Sequence, residues 1–139
     1  MALLALTSKL YVYVASKDGV QVYTKNLDHS LRKFKTIPIH IGSVDNLKLD
    51  GDGNLWVGCQ PRLAELVQYI NDFLHLKCSS TVIRVKDPTG VAEVESVFVD
   101  DTSLIQASSV AIYTNRKLLI GSIVDKMVVC DVNYLSGRS

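Results

Sequence analysis

Ten short apolar bursts, none longer than seven residues, run the length of the chain with turn residues between them. They are "LYVYVAS" (10–16), "VQVYTK" (20–25), "KFKTIPI" (33–39), "VDNLKLD" (44–50), "NLWVGC" (54–59), "TVIRVK" (81–86), "VESVFVD" (94–100), "SVAIYT" (109–114), "KLLIGSI" (117–123) and "MVVCDV" (127–132). Asp18-Gly19, Asp50-Gly51-Asp52-Gly53-Asn54, Pro88-Thr89-Gly90 and Asn115-Arg116 punctuate them. β-Branched and aromatic bursts bounded by such turn residues spell hairpins, so the chain reads as all-β.

Three segments repeat one theme: "KLYVYVASKDGVQVY", "NLWVGCQPRLAELVQY" and "KLLIGSIVDKMVVCDV". Their anchors at Tyr11, Trp56 and Leu118 lie 45 and 62 residues apart. Units of roughly 40 to 50 residues with about four strands each describe propeller blades, which bury their faces against their neighbours. The longer second interval leaves room for an inserted loop or extra strand around 87–105. The reading is a partial β-propeller of about two full blades and one incomplete blade, with approximate units 3–40, 44–86 and 94–132. Known propellers close with about four to eight blades, so residues 1–139 are expected to be the C-terminal portion of one larger propeller domain.

One stretch pulls the other way. In "RLAELVQYINDFLH" (62–75), Leu63, Leu66, Val67, Ile70, Phe73 and Leu74 follow the i, i+3, i+4, i+7 rule of an amphipathic helix. The repeat instead asks for a strand near 65–70, and that strand, with little helix overall, is the expectation adopted.

Fifteen basic and 14 acidic residues leave a formal charge of +1. That balance carries no electrostatic footprint for nucleic acid or an anionic membrane. The opening "MALLAL" lacks the basic n-region and length of a signal peptide, and no apolar stretch reaches the length of a membrane span. Cys59, Cys78 and Cys130 are odd in number and show no CxxC spacing, so neither a zinc site nor a closed disulfide framework is indicated. At least one thiol is free or pairs outside this chain.

Asp45 and Asn46 are anomalous at the head of a strand, because their short polar side chains compete for nearby backbone groups. A turn, a cap or a ligand is needed to explain them. "DGDGN" copies the first ligand positions of an EF-hand loop, but position six is Leu55 and position twelve is Pro61, so a hairpin turn is expected there. Ser108 and Ser109 lack the G-x-S-x-G nucleophile elbow.

"YVYVA", "VDNLKLDGDGNLWVGC", "VIRV", "SSVAIYTNRKLLIGSI" and the late cysteine, in this order, resemble the paraoxonase or arylesterase family from about Leu10 to Val132. The resemblance implies a six-bladed, calcium-dependent propeller that hydrolyses aryl esters and lactones. It implies Asp45 and Asn46 as ligands of the catalytic calcium, a reasonable pair for a hard cation that takes six to eight oxygens. It implies Val67 and Ile123 as positions lining the substrate pocket. Cys130 would form a disulfide with an N-terminal strand whose cysteine lies upstream of Met1, whereas Cys59 matches a free cysteine on a strand. Secretion, and association with lipid or lipoprotein, are further family expectations.

The match has gaps. The family's other calcium ligands and its histidine dyad fall N-terminal to the matched region, so no catalytic residue is assigned in this chain. Met1 stands near the place of one asparagine ligand. His29, His40 and His75 match no catalytic histidine, and Gln60 replaces a histidine common after the family's cysteine. The leading expectation is thus an incomplete form of a calcium-dependent arylesterase or lactonase, inactive by itself. The alternatives are a non-catalytic propeller fragment that binds a partner through an open edge, and a gluconolactonase-like calcium propeller.

Overall fold

Each apolar burst becomes a strand because alternate residues turn to opposite faces of a sheet, and each turn cluster reverses the chain. The computed structural model describes residues 2–6 and 9–133. β1 (Ala2–Leu6), β2 (Lys9–Ser16), β3 (Gly19–Lys25) and β4 (Leu31–Pro38) form one antiparallel meander. β5 (Ser43–Leu49), β6 (Leu55–Gln60), β7 (Ser80–Lys86) and β8 (Glu93–Asp100) form a second. β9 (Ser108–Thr114), β10 (Lys117–Ser122) and β11 (Val128–Asp131) form a three-stranded third.

The second sheet lies between the other two. Its strand β5 meets β1 and β2 on one side, while β9 packs on β5, β6 and β7 on the other. Both faces of β6 are therefore covered, and all six of its residues are buried. Leu55, Val57 and Cys59 point into a core shared with Tyr13, Val20, Val22 and Ile37 of the first sheet. Trp56 points the other way, into a core with Ala111, Leu118 and Ile120 of the third. Two four-stranded sheets and one three-stranded sheet stacked in chain order make a partial propeller, as the spacing of the repeats anticipated.

Two glycines permit the close approaches. Gly19, with φ +119°, closes the β2–β3 hairpin, and a Cβ there would fall 2.2 Å from the Ile37 carbonyl oxygen. Gly58 lets β6 lie against β9, since a Cβ would fall 2.4 Å from the backbone of Ser109 and Val110.

The expected strand near 65–70 is corrected to a helix, α1 (Leu63–Asn71). β6 already pairs with β5 on one side and β7 on the other, so no ladder partner remains for a strand between them. A segment following Pro61 must satisfy its backbone internally, and its 3.6-residue periodicity lets it do so. Leu66 and Tyr69 seat α1 on Cys78 and Ala107. Glu65 fixes the first turn by accepting the Ser79 hydroxyl at 2.6 Å and its N–H at 3.1 Å. The third strand of the second sheet is β7, formed by the later burst 81–86. Strand β8, inside the long interval 87–105, is the extra strand that completes this sheet, so the burst at 94–100 belongs with the second sheet and the third begins at Ser108.

Candidate functional site

Asp45 and Asn46 form a β-bulge. Val44 stands opposite Cys59 and Leu47 opposite Val57, so the two residues between them share a single partner, Gly58. Bulges place an extra residue outside the ladder and re-aim side chains, which is how a strand accommodates two polar neighbours. The apolar residues of β5 carry the signature: Val44, Leu47 and Leu49 all pack on the same core, and the first step is three residues rather than two.

The bulge brings the two side chains together. The Asn46 amide donates to Asp45 Oδ1 at 3.1 Å and to the Ser109 carbonyl at 3.2 Å, a reach that depends on the close approach at Gly58. Asp45 is half-buried, and it forms no ion pair among the described residues. Burial raises its carboxyl pKa, and a hydrogen bond from Gln60 works against that rise. A desolvated carboxylate without a basic neighbour, beside an amide, has the donor chemistry of a hard-cation site. It is a partial set: among the described residues no group of three or more His, Cys, Asp or Glu is placed to hold a metal ion.

A buried polar network supports this corner. Gln60 is 1% exposed and donates through Nε2 to the Ser108 carbonyl at 2.7 Å. The Ser108 hydroxyl accepts the Thr81 N–H at 3.1 Å and shares its own proton between the carbonyls of Cys59 and Thr81. Its oxygen is thereby committed to holding β6, β7 and β9 together, which agrees with the absence of a nucleophile elbow. Cys59 is equally unsuited to attack, because burial and the nearby Asp45 push its thiol up to about 12. His29, His40 and His75 are all exposed.

Val67 lies 53% exposed on the outer side of α1, and Ile123 lies 42% exposed just after β10. Both are on segments that meet at Ala107, which packs under α1 and accepts the Ile123 N–H at 3.2 Å. Cys130 is half-buried on β11, and all three thiols are free. The open cavity at the first sheet is lined by none of Asp45, Asn46, Val67, Ile123 or Cys130.

The Arylesterase family matches residues 4–132. The chain belongs to that family. It is 34% identical over 129 residues to serum paraoxonase/arylesterase 2 of Rattus norvegicus, covering 89% of this chain and 35% of that protein. Serum paraoxonase/arylesterase 1 of Homo sapiens is 30% identical over 126 residues, with 88% and 34% covered. Serum paraoxonase/lactonase 3 of Rattus norvegicus is 31% identical over 127 residues, with the same coverage. This arylesterase-family chain thus spans about a third of the length of the curated relatives it matches. No helix among its described residues is long and apolar enough to cross a membrane.

Sequence reasoning found the Asp45–Asn46 pair but missed the bulge, the closeness of Gly58 to β9 and the Ser108 network. The irregular step from Val44 to Leu47 was the available signal for the first. The other two depend on contacts between sheets that no local pattern encodes.

Proposed function

We propose that this chain contributes part of a calcium-dependent arylesterase or lactonase, with Asp45 and Asn46 supplying two oxygens to the catalytic calcium. The observation that carries the reading is the bulge, which sets a half-buried carboxylate, without an ion pair among the described residues, beside a carboxamide in a member of the Arylesterase family. The substrate would be a small aryl ester or lactone, bordered by Val67 and Ile123. Calcium, when bound, would polarise the ester carbonyl as a Lewis acid. The chain's own contribution is positional: Gln60 steadies Asp45, and the Ser109 carbonyl anchors Asn46.

Two donors meet a third or less of calcium's need for about six to eight, so affinity in the isolated chain falls at the weak end, about 10⁻⁴ to 10⁻³ M. Further ligands, a water-activating base and the disulfide partner of Cys130 would come from the other blades of a complete propeller. Secretion, and any lipid or lipoprotein association, belong to that same reading.

Phenyl acetate hydrolysis tests it. The 139-residue chain with added calcium should turn over substrate no faster than buffer. A chimera joining it to the preceding blades of a relative should show chelator-sensitive activity that Asp45→Ala abolishes. Full activity in the Asp45→Ala chimera would remove Asp45 from the site.

A further inference from the structure

Burying a carboxamide costs free energy unless it is hydrogen-bonded, and Gln60, the last residue of β6, is 1% exposed. Solvent has almost no access to it, so the protein must satisfy its two N–H groups. One donates to the Ser108 carbonyl at 2.7 Å, and the other serves the Asp45 carboxylate. Gln60 thus joins a donor of the second sheet to the backbone of the third.

Asn46 completes the row. Its amide nitrogen donates to Asp45 Oδ1 at 3.1 Å and to the Ser109 carbonyl at 3.2 Å. Carboxylate and carbonyl oxygens can meet only the nitrogen side of an amide, so both N–H groups are used and the Asn46 oxygen is turned away from them. Ser108 and Ser109 are consecutive on β9. Their carbonyls hold the two ends of a chain of contacts that runs Gln60, Asp45, Asn46. The donors ride on the second sheet, and the third sheet aims them.

We infer that Gln60 is a positioning residue for the calcium donors, fixing the Asp45 carboxylate in one rotamer by tying it to the backbone of β9. The inference rests on the calcium reading of Asp45 and Asn46, and it adds the side chain through which the third sheet acts on them. A carboxylate already held loses little freedom when the ion arrives, so holding it raises affinity without adding a ligand. Partners of this kind, outside the coordination sphere, typically change metal affinity by roughly ten- to a hundredfold.

Two NMR measurements on the 139-residue chain test it. Three-bond couplings to Asp45 Cγ, recorded without metal, report the rotamer, and a calcium titration followed through the Asp45 and Asn46 amide shifts reports affinity. Gln60→Met keeps the length of the side chain and removes its N–H groups. It should turn a single Asp45 rotamer into an average of several and weaken calcium roughly tenfold. Gln60→Asn, which draws the amide back by one methylene, should show the same two losses and replaces Gln60→Met if that variant does not fold. Ser80→Ala is the control for a merely loosened junction. Ser80 Oγ donates to the Ile105 carbonyl at 3.1 Å and accepts the Ser108 N–H at 3.0 Å, two bonds at the same junction that do not involve Asp45. That variant should keep both readouts at the parent's values, and unchanged Trp56 fluorescence verifies each fold. Absence of calcium shifts in the parent would defeat the calcium reading and the inference with it. Calcium shifts in the parent, with an unchanged Asp45 rotamer or unchanged affinity in the Gln60 variants, or with equal losses in Ser80→Ala, would overturn the inference and leave the calcium reading standing.

Discussion

The indole N–H of Trp56 donates to the Asp50 carboxylate at 2.8 Å, joining the β5–β6 turn to the interface between the second and third sheets. The same carboxylate accepts the Asn54 amide at 2.9 Å and the backbone N–H groups of Asp52 at 3.0 Å and Asn54 at 2.9 Å. A turn that mimics a calcium loop in sequence has therefore committed its first acid to the protein itself. Trp56 is fully buried, stacked on Tyr113 at 5.0 Å and approached by Arg84 at 5.8 Å from its ring. Asp50→Ala should cost about 2 to 3 kcal/mol in urea unfolding, because a buried indole N–H loses its partner. Asp52→Ala, whose carboxylate holds nothing, should stay within about 0.5 kcal/mol of the parent.

Gly58→Ala should be among the most damaging small substitutions in the chain. The added methyl would meet the β9 backbone, which cannot swing aside as a side chain can. A loss of about 1 to 3 kcal/mol is expected from the forced separation of the two sheets. Gly51→Ala, where nothing lies within 4 Å, is the matched control and should be nearly neutral. Equal stabilities for the two variants would show that β6 and β9 are not held at this distance.

These contacts mark how far the sequence could be read. The hairpins were legible because period-2 bursts and turn residues are local, and so was the stacking of sheets implied by Tyr11, Trp56 and Leu118. Helix α1 was legible too, in the spacing of Leu63, Leu66, Val67 and Ile70. It was lost by demanding a strand from the repeat, when the burst at 81–86 already supplied that strand. The surroundings of Asp45 were hidden for a different reason. A bulge is a property of pairing between two strands, and the approach of Ser109 is a property of two sheets.

Tyr13→Phe should stabilise the fold. The Tyr13 hydroxyl is buried without a hydrogen-bond partner, and burial, with lesser contributions from Tyr11 and Asp87, pushes its pKa up to about 12. Deleting an unsatisfied hydroxyl from an otherwise apolar core should add about 1 kcal/mol to the unfolding free energy. A less stable phenylalanine variant would reveal a bound water serving that oxygen.

Acid should loosen α1 through Glu65. The Ser79 hydroxyl, then Arg62 and the Ser79 N–H, hold its carboxyl at about 2, down from 4.5. A depressed folded-state pKa contributes stability that is fully present above 4.5 and lost as the pH falls towards 2. The difference in unfolding free energy between the parent and Glu65→Gln should accordingly be constant at neutral pH and shrink on acidification. A difference that persists unchanged in strong acid would mean that Glu65 acts by packing alone.

Alkylation should separate the thiols. Burial raises all three, Cys59 to about 12 and Cys78 to about 11, but only Cys130 is partly accessible. Iodoacetamide should label Cys130 first in the native chain, and all three alike after denaturation. Early labelling of Cys59 would mean that the first two sheets part readily.

The bulge at Asp45 and Asn46 separates what the strand needs from what it displays. Leu47 is buried in the core and Leu49 packs against it while Asp45 and Asn46 stand at the bulge, and burial of the Asp45 charge disfavours folding rather than driving it. Exchange of either donor for a small neutral residue would therefore leave folding nearly untouched. Loss of either donor would thus leave an intact, well-folded protein, and a measurement of expression or solubility would pass over the change.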